Sequence, residues 1–384
     1  MICNKISLEN IAEKGSSSLM QKDLKLGSGD YPIYGASGLL GYVDFYHQEN
    51  ESIGIVKDGA GVGRVFLLPA KASCIGTMQY IIPKAGVDAH FLFYALENMN
   101  LSRYNTGATI PHIYFRDYKG EKIPEYRLDE QKKIAKTLDK LRGNIEKRKK
   151  QLQKFDDLVK SQFIEMFGAV GADEKGWGLI ALGECCELNP KKSDDDRLKE
   201  GVEVSFVPMP AVTEKGELDN SSIRLYEQVQ KGFTYFADND VLFAKITPCM
   251  ENGKGAVARG LKNGIGFGST EFHVLRPKAG VSNPVWLYTI MSFKQFRQDA
   301  ARKMTGSAGQ RRVPSSFLSG YKVSLPPIAL QNQFAIFVER TDKSKVLMEQ
   351  ARKLVQILIK LILNIGTIEK SIQICYNGHR KEGV

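Results

Sequence analysis

Histidine is scarce in this sequence, at 5 of 384 residues, and none of the 6 cysteines stands in a C-x-x-C pair. Cys3, Cys74, Cys185, Cys186, Cys249 and Cys375 are scattered, with no H-x-x-H or mixed Cys/His cluster beside them. A tetrahedral zinc centre draws its ligands from such close spacings, so no metal is expected. Long apolar runs are missing too. The most apolar stretch, Val355 to Ile365, is interrupted by Lys360 and falls short of the roughly 20 residues that a bilayer-spanning helix needs. The amino-terminal Met-Ile-Cys-Asn-Lys-Ile-Ser lacks an apolar segment with a small-residue cleavage site, and a cytoplasmic protein with reduced thiols and no membrane contact is expected. Phosphate-cradling loops are also absent. Gly59-x-Gly-x-Gly63 fails the G-x-G-x-x-G spacing and no Gly-Lys-Ser/Thr occurs, so no nucleotide cofactor is expected.

What the sequence does have is positive charge. Lysine and arginine outnumber aspartate and glutamate by 54 to 43, which points to a polyanionic partner such as nucleic acid. The length allows two domains of ordinary size, each with its own core.

The chain also repeats itself. Pro83-Lys-Ala-Gly-Val87 recurs as Pro277-Lys-Ala-Gly-Val281, an offset of 194. The same offset brings Phe93-Tyr94 onto Leu287-Tyr288. Further on, Thr106-Gly107 matches Thr305-Gly306, Ile110-Pro111 matches Val313-Pro314, and Tyr118-Lys119 matches Tyr321-Lys322. The offset grows to 202 at Ile123-Pro124 and Leu325-Pro326, which also pairs Leu128-x-x-Gln131 with Leu330-x-x-Gln333. Drift of this kind is what surface-loop insertions produce. In the first copy, residues 53–56, 65–68 and 80–82 read as short strands and 90–98 as a helix. In the second, 241–243, 255–257 and 272–275 read as strands and 284–293 as a helix.

After each unit the pattern turns helical. Ile134, Leu138, Leu141, Ile145, Arg148, Leu152, Phe155, Val159 and Gln162 follow alternating steps of four and three and are apolar at seven of nine positions, which is a coiled-coil seam. Phe337, Thr341, Ser344, Met348, Ala351, Val355, Leu358, Ile362 and Ile365 repeat the steps at an offset of 203. The disagreement between 202 and 203 stays open, and the stripes also fit helices packed only on their own globular units. Lys147-Arg-Lys-Lys150 fits an ordinary solvated face. The expected fold is α+β: two globular units joined and separated by two long antiparallel coiled-coil helices, with pseudo-two-fold symmetry. Two dissimilar heads in one chain would read two unlike half-sites with an unread spacer, where a symmetric dimer reads a palindrome.

The arrangement resembles the specificity subunits of type I restriction-modification systems. The residues that carry the resemblance are Asp30-Tyr-Pro-Ile-Tyr-Gly-Ala-Ser-Gly-Leu-Leu-Gly-Tyr42, Asp240-Val-Leu-Phe-Ala-Lys-Ile-Thr-Pro-Cys-Met-Glu-Asn-Gly-Lys-Gly255, Gly266-Phe-Gly-Ser-Thr-Glu-Phe272 and Thr305-Gly-Ser-Ala-Gly-Gln-Arg-Arg-Val-Pro314, with Leu128-Asp-Glu-Gln131 and Phe163-Ile-Glu-Met-Phe-Gly168 at the helix boundaries. The resemblance implies target-recognition domains at 1–122 and 169–324, long helices at 123–168 and 325–366, and a tail at 367–384. It also implies double-stranded DNA as ligand, two S-adenosylmethionine-dependent modification subunits docked on the helices, and restriction subunits added to that core. The chain itself is expected not to be an enzyme. Asn189-Pro-Lys-Lys192 lacks the second proline and the aromatic residue of an adenine-methylation motif, and Asp194-Asp-Asp196 reads as a flexible acidic turn. A self-contained DNA methyltransferase or nuclease with unfamiliar motifs is the alternative.

Base edges are read by bidentate polar side chains, and phosphates by positive charge. In or beside the glycine-rich and polar loops, Lys57, Arg64, Gln79, His112 and Arg116 are the DNA-contact candidates of the first domain, and Lys245, Lys254, Gln310, Arg311 and Arg312 those of the second. His112 fits a buried hydrogen-bonded ring equally well. Thr270-Glu271 is less favoured, since a carboxylate gains at DNA chiefly by accepting from cytosine. The first loop, Thr106-Gly-Ala-Thr-Ile-Pro111, lacks the Gln-Arg-Arg of the second, so the two are expected to meet DNA differently.

Overall fold

Ser52-Ile-Gly-Ile-Val56 and Met78-Gln-Tyr-Ile-Ile-Pro83 are rich in β-branched and aromatic residues, and each forms a strand buried along most of its length. They lie at the centre of one of two units into which contacts divide this computed structural model. The first unit runs to Lys149 and resumes at Glu349, and the second runs from Lys150 to Met348. The structure describes residues 4–107, 110–307 and 309–378, with 194 and 363–378 as backbone only.

In the first unit, strands β1 (Ala12–Ser16), β2 (Ser52–Val56), β3 (Val65–Leu68) and β4 (Met78–Pro83) form an antiparallel sheet in the order β1-β4-β2-β3. Helix Ala89–Asn98 begins where the Asp88 side chain accepts from Phe91 N at 2.9 Å, a standard N-cap. Its Phe91, Leu92 and Leu96 join Ile53, Ile55 and Ile81 in one core cluster. The glycine-rich segment from Asp30 to Tyr42 folds into the hairpin Tyr31–Gly35 and Gly38–Val43, which pairs with Ser73–Cys74.

The second unit repeats this plan. Strands β5 (Cys186–Leu188), β6 (Val241–Ala244), β7 (Gly255–Val257) and β8 (Phe272–Pro277) take the order β5-β8-β6-β7, again antiparallel. Helix Pro284–Ser292 buries Trp286, Leu287 and Ile290 in the cluster that also holds Phe243 and Leu275. A second sheet, built from Glu203–Val207, Ile223–Leu225, Thr234–Ala237 and Ile265–Gly268, has four strands where its counterpart has three. Every strand and helix expected from the repeat is present, with boundaries shifted by at most one residue except at the start of the strand expected at 80–82 and the end of that at 272–275, which each move by two.

The repeat offset needs correction at its carboxyl end. Ile123 pairs with Ile6, and Val323 pairs with Ile180 in the matching two-stranded ribbon, so Ile123 answers to Val323 at an offset of 200 rather than to Leu325. The glutamines agree. Gln131 and Gln331 are buried and make matching bonds to the preceding loops, whereas Gln333 is exposed.

Helix α1 spans Leu128–Phe167 and α2 spans Ile328–Gly378. Each seam position expected on α1, from Ile134 to Gln162, is buried or half-buried. On α2 the described inward positions include 334, 338, 341, 345, 348, 352, 355, 359 and 362. Ser344 and Leu358, both expected inside, are exposed, and Lys345 and Ile359 take their places; Ile365 lies outside the described side chains. The other expected positions with described side chains, among them Thr341, Met348, Val355 and Ile362, are buried or half-buried, and the seam departs from the apolar steps where it carries Lys345 and Arg352, whose charge hides them from an apolar count. In the second unit, Phe334 packs edge-on against Phe163 and Phe167, with ring centroids 5.5 and 5.4 Å apart, and Lys345 pairs with Asp156. Within that unit the two segments therefore run antiparallel. In the first unit, Ile359 and Ile362 pack on the cluster of Ala135 and Leu138.

Candidate nucleic-acid interface

In each unit a loop returns to the end of a central strand. In the first, Ile113 N donates to Lys57 O at 3.0 Å and Gly59 N to Pro111 O at 2.9 Å, so Pro111-His112-Ile113 is laid against Lys57-Asp58-Gly59. The turn between β2 and β3 needs Gly59 and Gly63, whose φ values of 88° and 85° suit glycine. In the second, Val313 N donates to Lys245 O at 2.9 Å, and Thr247 N to Arg311 O at 3.0 Å. The two halves thus match position by position: Lys57 with Lys245, His112 with Arg312, and Ile113 with Val313, the last pair each 1% exposed.

His112 Nδ1 pairs with Asp58 in a very short contact. Its ring lies 4.0 Å from that of Tyr114, and Arg116 lies over the same Tyr114 ring, 4.5 Å from its centroid. Lys57 Nζ stands 3.9 Å from the same Asp58 carboxylate. Arg64 is exposed, with Nη1 3.4 Å from Ala36 O. These four side chains accompany one loop cluster.

Gln79 does not belong with them. It is 1% exposed, and its amide donates to the buried Tyr118 hydroxyl at 2.6 Å. A polar residue in a strand looks like a surface contact in sequence, but here it satisfies a core hydroxyl. His273 holds the equivalent place on β8, facing Phe243 as Gln79 faces Ile55. It too is buried, with Nε2 2.8 Å from Val313 O.

The second cluster is more strongly paired. Arg312 grips Glu271 with Nε at 2.9 Å and Nη2 at 2.8 Å, and its Nη1 reaches Gln310 O at 3.2 Å. The Arg312 hydrogen bond holds the Glu271 carboxyl below its ordinary range. Arg311 contacts Glu251 at 3.3 Å, while its backbone N donates to Thr247 Oγ1 at 3.2 Å. Gln310 is exposed, and Lys245 and Lys254 are half-buried at the strand ends. Asn105, Tyr114, Thr247 and Glu251 were missed in sequence; an aromatic two residues before Arg116 was the one local signal. Ala108, Thr109 and Ala308, within the loops singled out in sequence, lie outside the described residues. Among the described residues no group of three His, Cys, Asp or Glu could hold a metal ion, and no helix is long and apolar enough to cross a membrane.

Residues 3–154 and 174–358 match the family of the Type I restriction modification DNA specificity domain. The chain is 41% identical over 164 residues to the EcoAI type I restriction enzyme specificity subunit of Escherichia coli, covering 42% of this chain and 27% of that one. It is 40% identical over 167 residues to the EcoEI specificity subunit of the same organism, covering 41% and 27%. The matched segment therefore spans about a quarter of the length of these curated relatives. In structure the chain resembles the type I restriction-modification S subunit from M. genitalium, with a TM-score of 0.56 at 16% identity over 94% of each chain. A chain from a structure of the type I R-M system addressing complex assembly and conformational transition gives 0.55 at 16% identity, over 94% of this chain and 97% of the other. At that identity the structural likeness concerns the fold, but the family match covers most of the sequence and both halves of its repeat, and this protein belongs to the type I restriction-modification DNA specificity family.

Proposed function

We propose that this chain is the non-catalytic DNA-reading subunit of a type I restriction-modification complex, recognising a bipartite, asymmetric site with an unread spacer. One observation carries the reading. Two sheets of the same strand order each set a carboxylate-paired side chain on the same loop position, and the side chains differ, His112 in one and Arg312 in the other. Equivalent positions with unlike side chains suit two unlike half-sites. Lys57, Arg64, His112 and Arg116 would meet one half-site, and Lys245, Lys254, Gln310, Arg311 and Arg312 the other. The net charge of +11 supports salt-sensitive binding to duplex DNA.

In this reading, residues 1–122 and 169–324 are the readers, and the helices at 123–168 and 325–366 pair antiparallel as a spacer between them. Two modification subunits dock on those helices and supply methyl transfer, and restriction subunits join that core. The outer face of α2 supports a docking role: Leu354, Leu358 and Leu361 are 66, 45 and 45% exposed, a run of apolar side chains on one face of the kind that marks interaction sites. Exchange of residues 178–322 for the matching segment of a relative, followed by methylation mapping of host DNA, tests the proposal. One half of the methylated sequence should change and the other remain. A change in both halves, or no change, would overturn the assignment of one reader to each half-site.

A further inference from the structure

The loop position shared by His112 and Arg312 carries a further relationship. Each of these residues bridges back to the segment leaving a central strand, His112 to Asp58 and Arg312 to Ile246. Each is also tied to a carboxylate, yet the two carboxylates come from non-equivalent places. Asp58 stands where the second unit has Ile246. Glu271 stands where the first unit has Thr77, since Lys57 N donates to Thr77 O at 3.0 Å as Lys245 N donates to Glu271 O at 2.9 Å. A carboxylate partner reached by two routes within one chain is not a by-product of the repeat.

The Arg312 pair has a directional consequence. A guanidinium carries five N–H groups in one plane. The side edge, with Nε–H and one Nη2–H, is occupied by Glu271, and one Nη1–H faces Gln310 O. What remains, among the described residues, is one N–H on Nη1 and one on Nη2, the pair a guanidinium presents along its outer edge when Gln310 O takes the Nη1–H nearer Cδ, on a side chain 42% exposed. Two parallel donors match O6 and N7 of guanine in the major groove. Glu271 also cancels the charge that would draw Arg312 to any phosphate. At the equivalent place His112 has Nδ1 committed to Asp58 and only Nε2 left, which cannot make a two-donor contact.

Building on the reading of this chain as a DNA-specificity subunit, we propose that Arg312 reads a guanine in the second reader's half-site through its outer edge. Glu271 is the positioning residue that fixes the fork and suppresses sequence-blind attraction to the backbone.

The test uses the chain assembled with its modification subunits, a duplex pool randomised over the recognition site, and a duplex lacking the selected site as the sequence-blind probe. Wild type should select a guanine at one fixed position that Arg312→Gln loses, with discrimination there falling by ~10- to ~100-fold while other positions keep theirs. Arg312→Lys retains charge without the fork and should lose the same preference. Glu271→Gln should weaken discrimination at that base pair and tighten binding to the sequence-blind duplex, opposite changes that a folding defect would not produce. Unchanged preferences in both Arg312 variants, in a complex that still selects its site, would overturn the guanine assignment. Glu271→Gln weakening binding to both probes would overturn the positioning role. A wild-type complex that selects no sequence would instead overturn the DNA-reading function itself.

Discussion

Lys345 Nζ lies 2.8 Å from Asp156 Oδ1 and 3.1 Å from Asp342 Oδ1, which sets an ammonium at an inward position of α2 facing α1 in the second unit. Burial acts to lower its pKa, but the two carboxylates outweigh that effect and the net shift is upward. A lysine whose folded pKa is raised contributes its stability fully below the unfolded value of about 10.4, and loses it as pH rises through the folded one.

Asp156→Ala should therefore destabilise the chain by up to ~1 kcal/mol near neutral pH, because Asp342 remains and the Asp156 side chain is half-exposed. Urea midpoints for wild type and variant should converge at strongly alkaline pH. Lys345→Met keeps an apolar chain at the position and leaves Asp156 and Asp342, which are 52 and 57% exposed, to water, so it should cost no more than the carboxylate variant. A loss of several kcal/mol for Lys345→Met would show that the pair specifies the seam.

Gln331 ties α2 to the loop before helix Pro284–Ser292. Its Nε2 donates to Val281 O at 3.0 Å and Pro326 O at 2.8 Å, and its Oε1 accepts from Asn283 N at 2.8 Å. Gln331→Leu should strand a buried N–H and two carbonyls, at ~1–3 kcal/mol for such groups. The expected result is a drop of several degrees in the thermal midpoint, with Gln131→Leu next because that side chain is slightly more exposed. A change of under one degree in both would mean that water enters and replaces the amide.

His273 should give the second unit an acid-sensitive stability. Val313 O can only accept, so Nε2 carries the proton, and Nδ1 accepts from Asn189 Nδ2 at 3.2 Å. Asn189 cannot turn freely, since its Oδ1 accepts from Val274 N at 3.0 Å. Burial depresses the imidazole pKa, with Lys245 acting the same way and Glu271 and the Val313 bond opposing it. The folded state then binds fewer protons than the unfolded, so stability is complete above pH ~6.5 and falls as pH drops from there towards the depressed folded value. His273→Gln, which places the amide of Gln79 at the equivalent site, should flatten the fall in melting temperature between pH 7 and pH 5. An unchanged slope would assign the acid sensitivity to other groups.

These residues also mark where the sequence was readable. The α1 seam could be found because the packing positions of Ile134, Leu138, Ile145 and Val159 are apolar, and periodicity reports burial only through apolar side chains. The α2 seam was legible at Thr341, Met348, Val355 and Ile362 but not throughout, because Lys345 and Arg352, also inward, satisfy their charges by pairing with Asp156, Asp342 and Glu349. The repeat slipped by two residues where Leu325-Pro326 imitates Ile123-Pro124, and only strand pairing corrects it. At the interface, loop cations stood out by composition. Their carboxylate partners did not, since Glu271 lies 41 residues from Arg312 and β8 and the returning loop must fold before they meet.

Helix length gives the last prediction. If α1 and α2 act as a paired spacer between two readers, the gap between half-sites follows from their length. Four residues added to each helix, close to one full turn, lengthen the spacer by about 6 Å at 1.5 Å per residue. At about 3.4 Å per base pair along one strand, the permitted gap should grow by one to two base pairs. The insertions must be made at facing positions, for example near Asp156 and Lys345, because a four-residue stutter in one helix alone would shift every later side chain against its partner. Methylation mapping with the altered chain reads the gap directly, and the half-site sequences act as the internal control. Longer spacing with unchanged half-sites is the expected outcome. An unchanged gap would mean that something other than these helices sets the distance, and altered half-sites would mean that the readers depend on the helices for their own fold.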